Sequence, residues 1–224
     1  MSDSRLSAVV LISGSGSNLQ ALLDAADDGL PLDIRAVISN RPGAYGLQRA
    51  AAACVPARVL DHRDFPDRAA FEAALGELID AFQPAVVLLA GFMRILNPGF
   101  VERYRGRMIN IHPALLPAYP GLHTHRRCLE AGDAEHGASI HFVTAEVDGG
   151  PVLMQVRVPV QAGDDADALA ARVLEQEHRL YPAAVRLLCD GRVRLDGERI
   201  LLDGRPLDAP LRLDPAGDAA PGSA

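Results

Sequence analysis

The chain has 224 residues, 49% hydrophobic and 23% charged, enough apolar material for a core in one large domain or two small ones, which excludes disordered and collagen-like chains. All 22 basic residues are arginine, so lysine Schiff-base chemistry and a Walker A phosphate site are excluded, and a net charge of −7 argues against nucleic acid as the main partner. No apolar run nears the roughly eighteen residues that span a bilayer, and the N-terminus MSDSRLSAVVLIS lacks a secretory layout, so a cytoplasmic protein without membrane attachment is expected.

In chain order, the apolar β-branched runs at 8–12, 34–38, 59–60 and 85–90 predict short buried strands. The stretches 18–26, 44–53 and 68–82 carry apolar residues at helical spacing. Strand and helix alternating in this way predict an α/β fold: an open, mostly parallel twisted sheet with helices on both faces. A further strand at 108–111 leads into the loop HPALLPAYPGLHTH and a helix near 126–131. Strands at 138–143 and 151–158, joined by the turn 144–150, predict an antiparallel extension of the sheet. The stretch 165–188 reads as a long amphipathic helix entered through acidic residues. A hairpin follows around Asp196-Gly197. Residues 1–204 are expected to form the domain, and 205–224, rich in Pro, Gly and Ala, a flexible tail.

Cys54, Cys128 and Cys189 are too few and too widely spaced for a disulfide framework or a CxxC metal clip. His123, His125, His136 and His141 invite zinc, but there is no HExxH and no cysteine at ligand spacing, so no metal is expected.

Ser13-Gly14-Ser15-Gly16-Ser17-Asn18 follows a buried strand and opens a helix, where backbone N–H groups hold anions. The loop is neither GxGxxG nor a Walker A motif and suits a single phosphate. A tight turn capped by Ser17 or Asn18 is the competing account. Asn110 and His112 lie two apart at the C-terminal end of a strand, the edge where open α/β sheets bind ligands, and their side chains leave the strand on the same side. An amide donor of this kind stabilises a developing oxyanion by on the order of 3 kcal/mol; a structural histidine at a strand end is the alternative. Asp148, in EVDGGP, can pair with His112 if its loop folds over the same pocket, or serve the turn alone.

The stretches LISGSGSNLQALLDA, VISNRPGAYGLQRA, LLAGFMRIL, MINIHPALLPAYPGLHTHRRCLEAGDAEHGASIHFVTAEVDGGPVLMQ and VLEQEHRLYP closely resemble the phosphoribosylglycinamide formyltransferase family, folate-dependent enzymes of purine synthesis. The resemblance implies a Rossmann-like formyltransferase fold and formyl transfer from 10-formyltetrahydrofolate to glycinamide ribonucleotide, without a metal. It also implies a catalytic set of Asn110, His112 and Asp148, with the histidine as general acid and its pKa raised by the aspartate. Gly16, Ser17 and Asn18 match the phosphate site of the ribonucleotide, and Glu177 its ribose contact. Met93, Arg94, Ile95 and Leu96, with Arg68 and Asn110, match the folate pocket, and His141 a supporting position. Ala114 and Ala118 depart from the serine and lysine frequent in the family, at positions without a catalytic role. Among relatives of the same chemistry, a methionyl-tRNA formyltransferase would need a basic C-terminal domain and a formyltetrahydrofolate hydrolase an N-terminal regulatory one. A silent phosphosugar-binding module is the reading from another class.

Overall fold

In the computed structural model, which describes residues 5–214 and 219–220, the first apolar run is β1 (Leu6–Ile12), and residues 8–12 are fully enclosed. Strands β2 (Leu32–Ser39), β3 (Ala57–Val59), β4 (Val86–Leu89) and β5 (Met108–His112) join it in parallel, in the order β5-β4-β1-β2-β3. The central strands β1 and β4 are covered on both faces, which is why their runs read as continuously apolar and not as alternating, whereas β3 at the edge is largely exposed. Parallel neighbours need long connections. These are supplied by α1 (Ser17–Asp27), α2 (Gly46–Ala52), α3 (Arg68–Asp80) and α4 (Pro98–Arg103). The last of these was not anticipated, because six residues are too few to display a period. Its start is nonetheless chemically defined: Asn97 Oδ1 accepts the Phe100 N–H at 2.8 Å, and Pro98 occupies the first turn.

The residues up to Asn110 form one compact unit and those from Ile111 another. The second unit contains α5 (Thr124–Ala131) and the antiparallel pair β6 (Glu135–Phe142) and β7 (Val152–Pro159), whose register slips between Ile140 and His141. Helix α6 (Ala166–Cys189) packs on both strands through Leu169, Val173, Leu180 and Ala184, a stripe at helical spacing. The Asp165 side chain caps it by accepting the Ala168 N–H at 2.8 Å.

The hairpin of β8 (Val193–Asp196) and β9 (Arg199–Leu202) turns through Gly197 at φ 62°, and β10 (Arg205–Pro206) adds a third antiparallel strand. Strand β11 (Leu211–Leu213) runs parallel to β7 and pairs with β12 (Ala219–Ala220). Of the segment read as a tail, residues 205–214 therefore contribute strands, with Leu211 and Leu213 buried. Residues 215–218 and 221–224 lie outside the described residues. The class is α/β as expected, a mostly parallel mixed sheet with helices and a small antiparallel sheet near the C-terminus. Among the described residues no helix is long and apolar enough to cross a membrane.

Candidate active site

His112 closes β5 and is 5% exposed. Its Nε2–H donates to the Tyr119 carbonyl at 2.9 Å, and its Nδ1 lies 3.4 Å from Asp148 Oδ2. Asp148 sits between β6 and β7 in the left-handed region, at φ 53°, a conformation that aspartate tolerates better than most residues. Its Oδ2 also accepts the Gly121 N–H at 2.8 Å, while its Oδ1 is 3.5 Å from Nε2 of the buried His141 on β6. The His141 ring is fixed from behind, Nδ1–H donating to the Phe142 carbonyl at 3.0 Å. The loop can return to β7 because residue 150 is glycine: a Cβ there would stand 1.9 Å from the Phe142 carbonyl oxygen.

Both ring nitrogens of His112 face acceptors, so only the imidazolium satisfies them together. Burial nonetheless holds the His112 pKa below the ordinary imidazole value, against the upward pull of the Tyr119 carbonyl and of Asp148. This corrects the expectation of a raised pKa: the carboxylate acts in the expected direction, but enclosing the ring costs the charged form more. For Asp148 the balance is reversed. Burial works to raise its pKa, yet His141, the Gly121 N–H and the His112 charge together bring it below its usual value. Nearby, His136 is pushed down to about 4, first by burial and then by His125 and His112, and its Nε2 lies 3.1 Å from His125 Nδ1. Among the described residues no group of three His, Cys, Asp or Glu side chains is placed to hold a metal ion.

The remaining sequence-derived candidates divide between the two units. Asn110 is half-buried on β5, two residues before His112, and Glu177 is buried on α6. In the first unit, the glycine loop leaves β1 and passes through Gly16 at φ 68° into α1, whose N-terminus has no side-chain cap. Ser17 and Asn18, which the turn reading required as caps, are instead the first two residues of the helix, with Asn18 buried. The loop rests on the start of α2: Gly46 N–H donates to the Gly14 carbonyl at 3.1 Å, and Arg49 Nε to the Ser15 carbonyl at 2.9 Å. A Cβ on Gly16 would come within 2.6 Å of Gly46 Cα, and one on Gly46 would meet Ile12 Cδ1 at 2.5 Å and Gly16 Cα at 3.1 Å. Gly46 escaped the sequence reading, although PGAYG at a helix start carries the signal.

Also in the first unit, Met93 and Ile95 are 60% and 62% exposed on the irregular segment before α4, while Leu96 between them and the helix is buried. The Arg94 guanidinium lies 5.6 Å from the centre of the Phe71 ring. Arg68 opens α3 with Nε 3.5 Å from Oε1 of Glu72, a buried carboxylate that the sequence reading passed over. Tyr119 and Gly121 were also missed, since they act through backbone groups, which every residue type offers alike.

The chain is similar to known proteins over most of its length. The family described as formyl transferase matches residues 6–185. A protein named phosphoribosylglycinamide formyltransferase from Escherichia coli (strain K12) is 51% identical over 216 residues, which cover 96% of this chain and 99% of that one. One of the same name from Haemophilus influenzae is 43% identical over 88% of this chain and 94% of its own. The structure of the phosphoribosylglycinamide formyltransferase from Coxiella burnetii in complex with CHES superposes with a TM-score of 0.87 at 48% identity, over 90% of this chain and 95% of that one. With a family match over most of its length and relatives this close, the chain belongs to the formyl transferase family, and it is an enzyme of that kind.

Proposed function

We propose that this enzyme transfers the formyl group of 10-formyltetrahydrofolate to the amine of glycinamide ribonucleotide, a step of purine biosynthesis. The observation that carries the chemistry is the meeting of His112 and Asp148 at 3.4 Å in a buried setting. Likeness to two phosphoribosylglycinamide formyltransferases over nearly their whole lengths supports the choice of substrates.

The amine nitrogen attacks the formyl carbon, giving a tetrahedral intermediate whose oxygen carries the developing charge. The Asn110 amide and the His112 Nε2–H are the donors for that oxyanion, which takes over the place of the Tyr119 carbonyl on Nε2. Charge arriving beside the ring favours its protonated form, so a histidine held neutral by burial becomes a competent acid when it is needed. Asp148, kept ionised, draws the proton from the attacking amine and passes it across 3.4 Å to His112 Nδ1, which forms the imidazolium. The bond from carbon to the folate nitrogen then breaks, and that nitrogen receives a proton from His112. The uncapped N-terminus of α1, with Gly16, Ser17 and Asn18, holds the ribonucleotide phosphate, and Glu177 its ribose. Binding energy from that non-reacting phosphate orients the amine. The segment 93–96, with Arg68 and Asn110, receives the folate.

The test is to incubate the protein with 10-formyltetrahydrofolate with and without glycinamide ribonucleotide. Loss of the formyl donor only when the acceptor is present supports the proposal. Loss without acceptor points to a hydrolase, and no turnover by folded protein to a binding module.

A further inference from the structure

The segment carrying Met93 and Ile95 has no regular structure from residue 92 to 97, yet two buried polar side chains of the same unit hold its ends. At its start, the Met93 N–H donates to Ser13 Oγ at 2.8 Å, and the Ser13 hydroxyl donates to Asn40 Oδ1 at 2.5 Å. Ser13 and Asn40 are both buried. At its end, Glu72 on α3, 3% exposed, accepts the Asn97 backbone N–H on Oε1 at 3.0 Å and the Asn97 side-chain amide on Oε2.

The Asn97 amide cannot turn round without loss, because its Oδ1 is committed to the Phe100 N–H. The group opposite it must therefore offer two acceptors, which a carboxylate does and an amide does not. A buried carboxylate is costly unless its oxygens are satisfied. Burial raises the Glu72 pKa against the opposing pulls of the Asn97 N–H, Arg68 and Arg94. Both oxygens accept from a single loop residue, Asn97, whose own side chain caps α4, and Oε1 also lies 3.5 Å from Arg68 Nε, so the carboxylate ties the end of the loop to α3.

Resting on the reading of residues 93–96 as a wall of the folate pocket, we propose that Ser13 and Glu72 are positioning residues for the formyl donor. They hold the segment from both ends, so that Met93 and Ile95 meet the folate on a preformed surface. Neither side chain needs to touch the folate. Their contribution is the ordering of the segment before binding, which otherwise weakens affinity.

Three variants test this: Glu72→Gln, Ser13→Ala, and a control carrying Met93→Ala with Ile95→Ala. Glu72→Gln keeps shape and one acceptor but turns an N–H donor toward the Asn97 amide. The measurements are the calorimetric affinity for a non-transferable folate analogue, amide hydrogen exchange over residues 92–97, and steady-state kinetics. In Glu72→Gln and Ser13→Ala the segment should exchange faster and the analogue Kd should rise on the order of tenfold. The KM for the formyl donor should rise with it, while kcat stays within about threefold, a split that general loss of structure would not give. Unchanged analogue affinity in both variants, while the control binds weakly, overturns the proposal. Normal binding by the control shows instead that residues 93–96 do not receive the folate, and the proposal falls with that reading.

Discussion

The His112 imidazole and the Asp148 carboxylate face each other across 3.4 Å, one delivered by the end of a strand and the other by a loop residue in the left-handed region. If this pair moves the protons of the transfer, His112→Ala and Asp148→Asn should each lower kcat by at least about a hundredfold. Steady-state rates with both substrates saturating give the answer. A near-normal rate in either variant removes that residue from the mechanism.

His141 should matter less, and differently. Its Nε2 lies 3.5 Å from Asp148 Oδ1, and its interaction helps to keep the Asp148 pKa low. Replacing it by glutamine removes that help, so the Asp148 pKa rises and the acid limb of the kcat against pH profile moves to higher pH. We expect a loss of about tenfold at neutral pH. A profile that keeps its acid limb in place would show that His141 does not tune the carboxylate.

Gly16→Ala combines two penalties, a positive φ of 68° and a Cβ 2.6 Å from Gly46 Cα. It should destabilise the fold by about 2 kcal/mol and raise the KM for glycinamide ribonucleotide more than that for the folate. Asn18→Ala should raise the acceptor KM with less effect on stability. Chemical denaturation and separate KM determinations check both, and an acceptor KM unmoved in both variants would count against the phosphate assignment.

Stability should depend on pH through His136. Its imidazole titrates near 6.5 when unfolded and at about 4 in the fold. Between these values the unfolded chain binds a proton that the folded chain refuses. Stability is therefore full above about pH 6.5 and falls as the pH drops toward 4, by at most about 3 kcal/mol from this residue. His112 and His125, both held low chiefly by burial, push in the same direction. Urea unfolding at several pH values should show the slope, and His136→Gln should flatten it; an equally steep slope in that variant would place the effect elsewhere.

The α/β class was legible because its patterns are strong: β4 and residues 8–12 of β1 are unbroken apolar runs, β2 is apolar around Arg35, and α6 was placed within one residue at each end. Short elements were not legible. Helix α4 announces itself only through Asn97 and Pro98, and β11 only through two leucines in a stretch otherwise rich in proline and glycine. At the site, the strand that carries Asn110 and His112 was legible from the apolar run before them, and both residues lie on it. That Asp148 reaches His112 is a tertiary fact, and the family resemblance pointed to it where spacing could not. Resemblance misled on the His112 pKa, because it carries the partner of a group without the degree of its burial. The close approach of Gly16 and Gly46 joins two loops distant in sequence and leaves no local trace beyond the glycines themselves.

A carboxylate set between two rings can take a hydrogen ion from one side while another leaves on the opposite side. Formyl transfer between two nitrogens is neutral in this respect, since the acceptor gives up one hydrogen ion and the departing carrier collects one. Asp148, His112 and His141 are gathered in a cluster nearly closed to solvent, so if they carry the protons as proposed, the exchange is completed inside the protein, without drawing on the buffer outside.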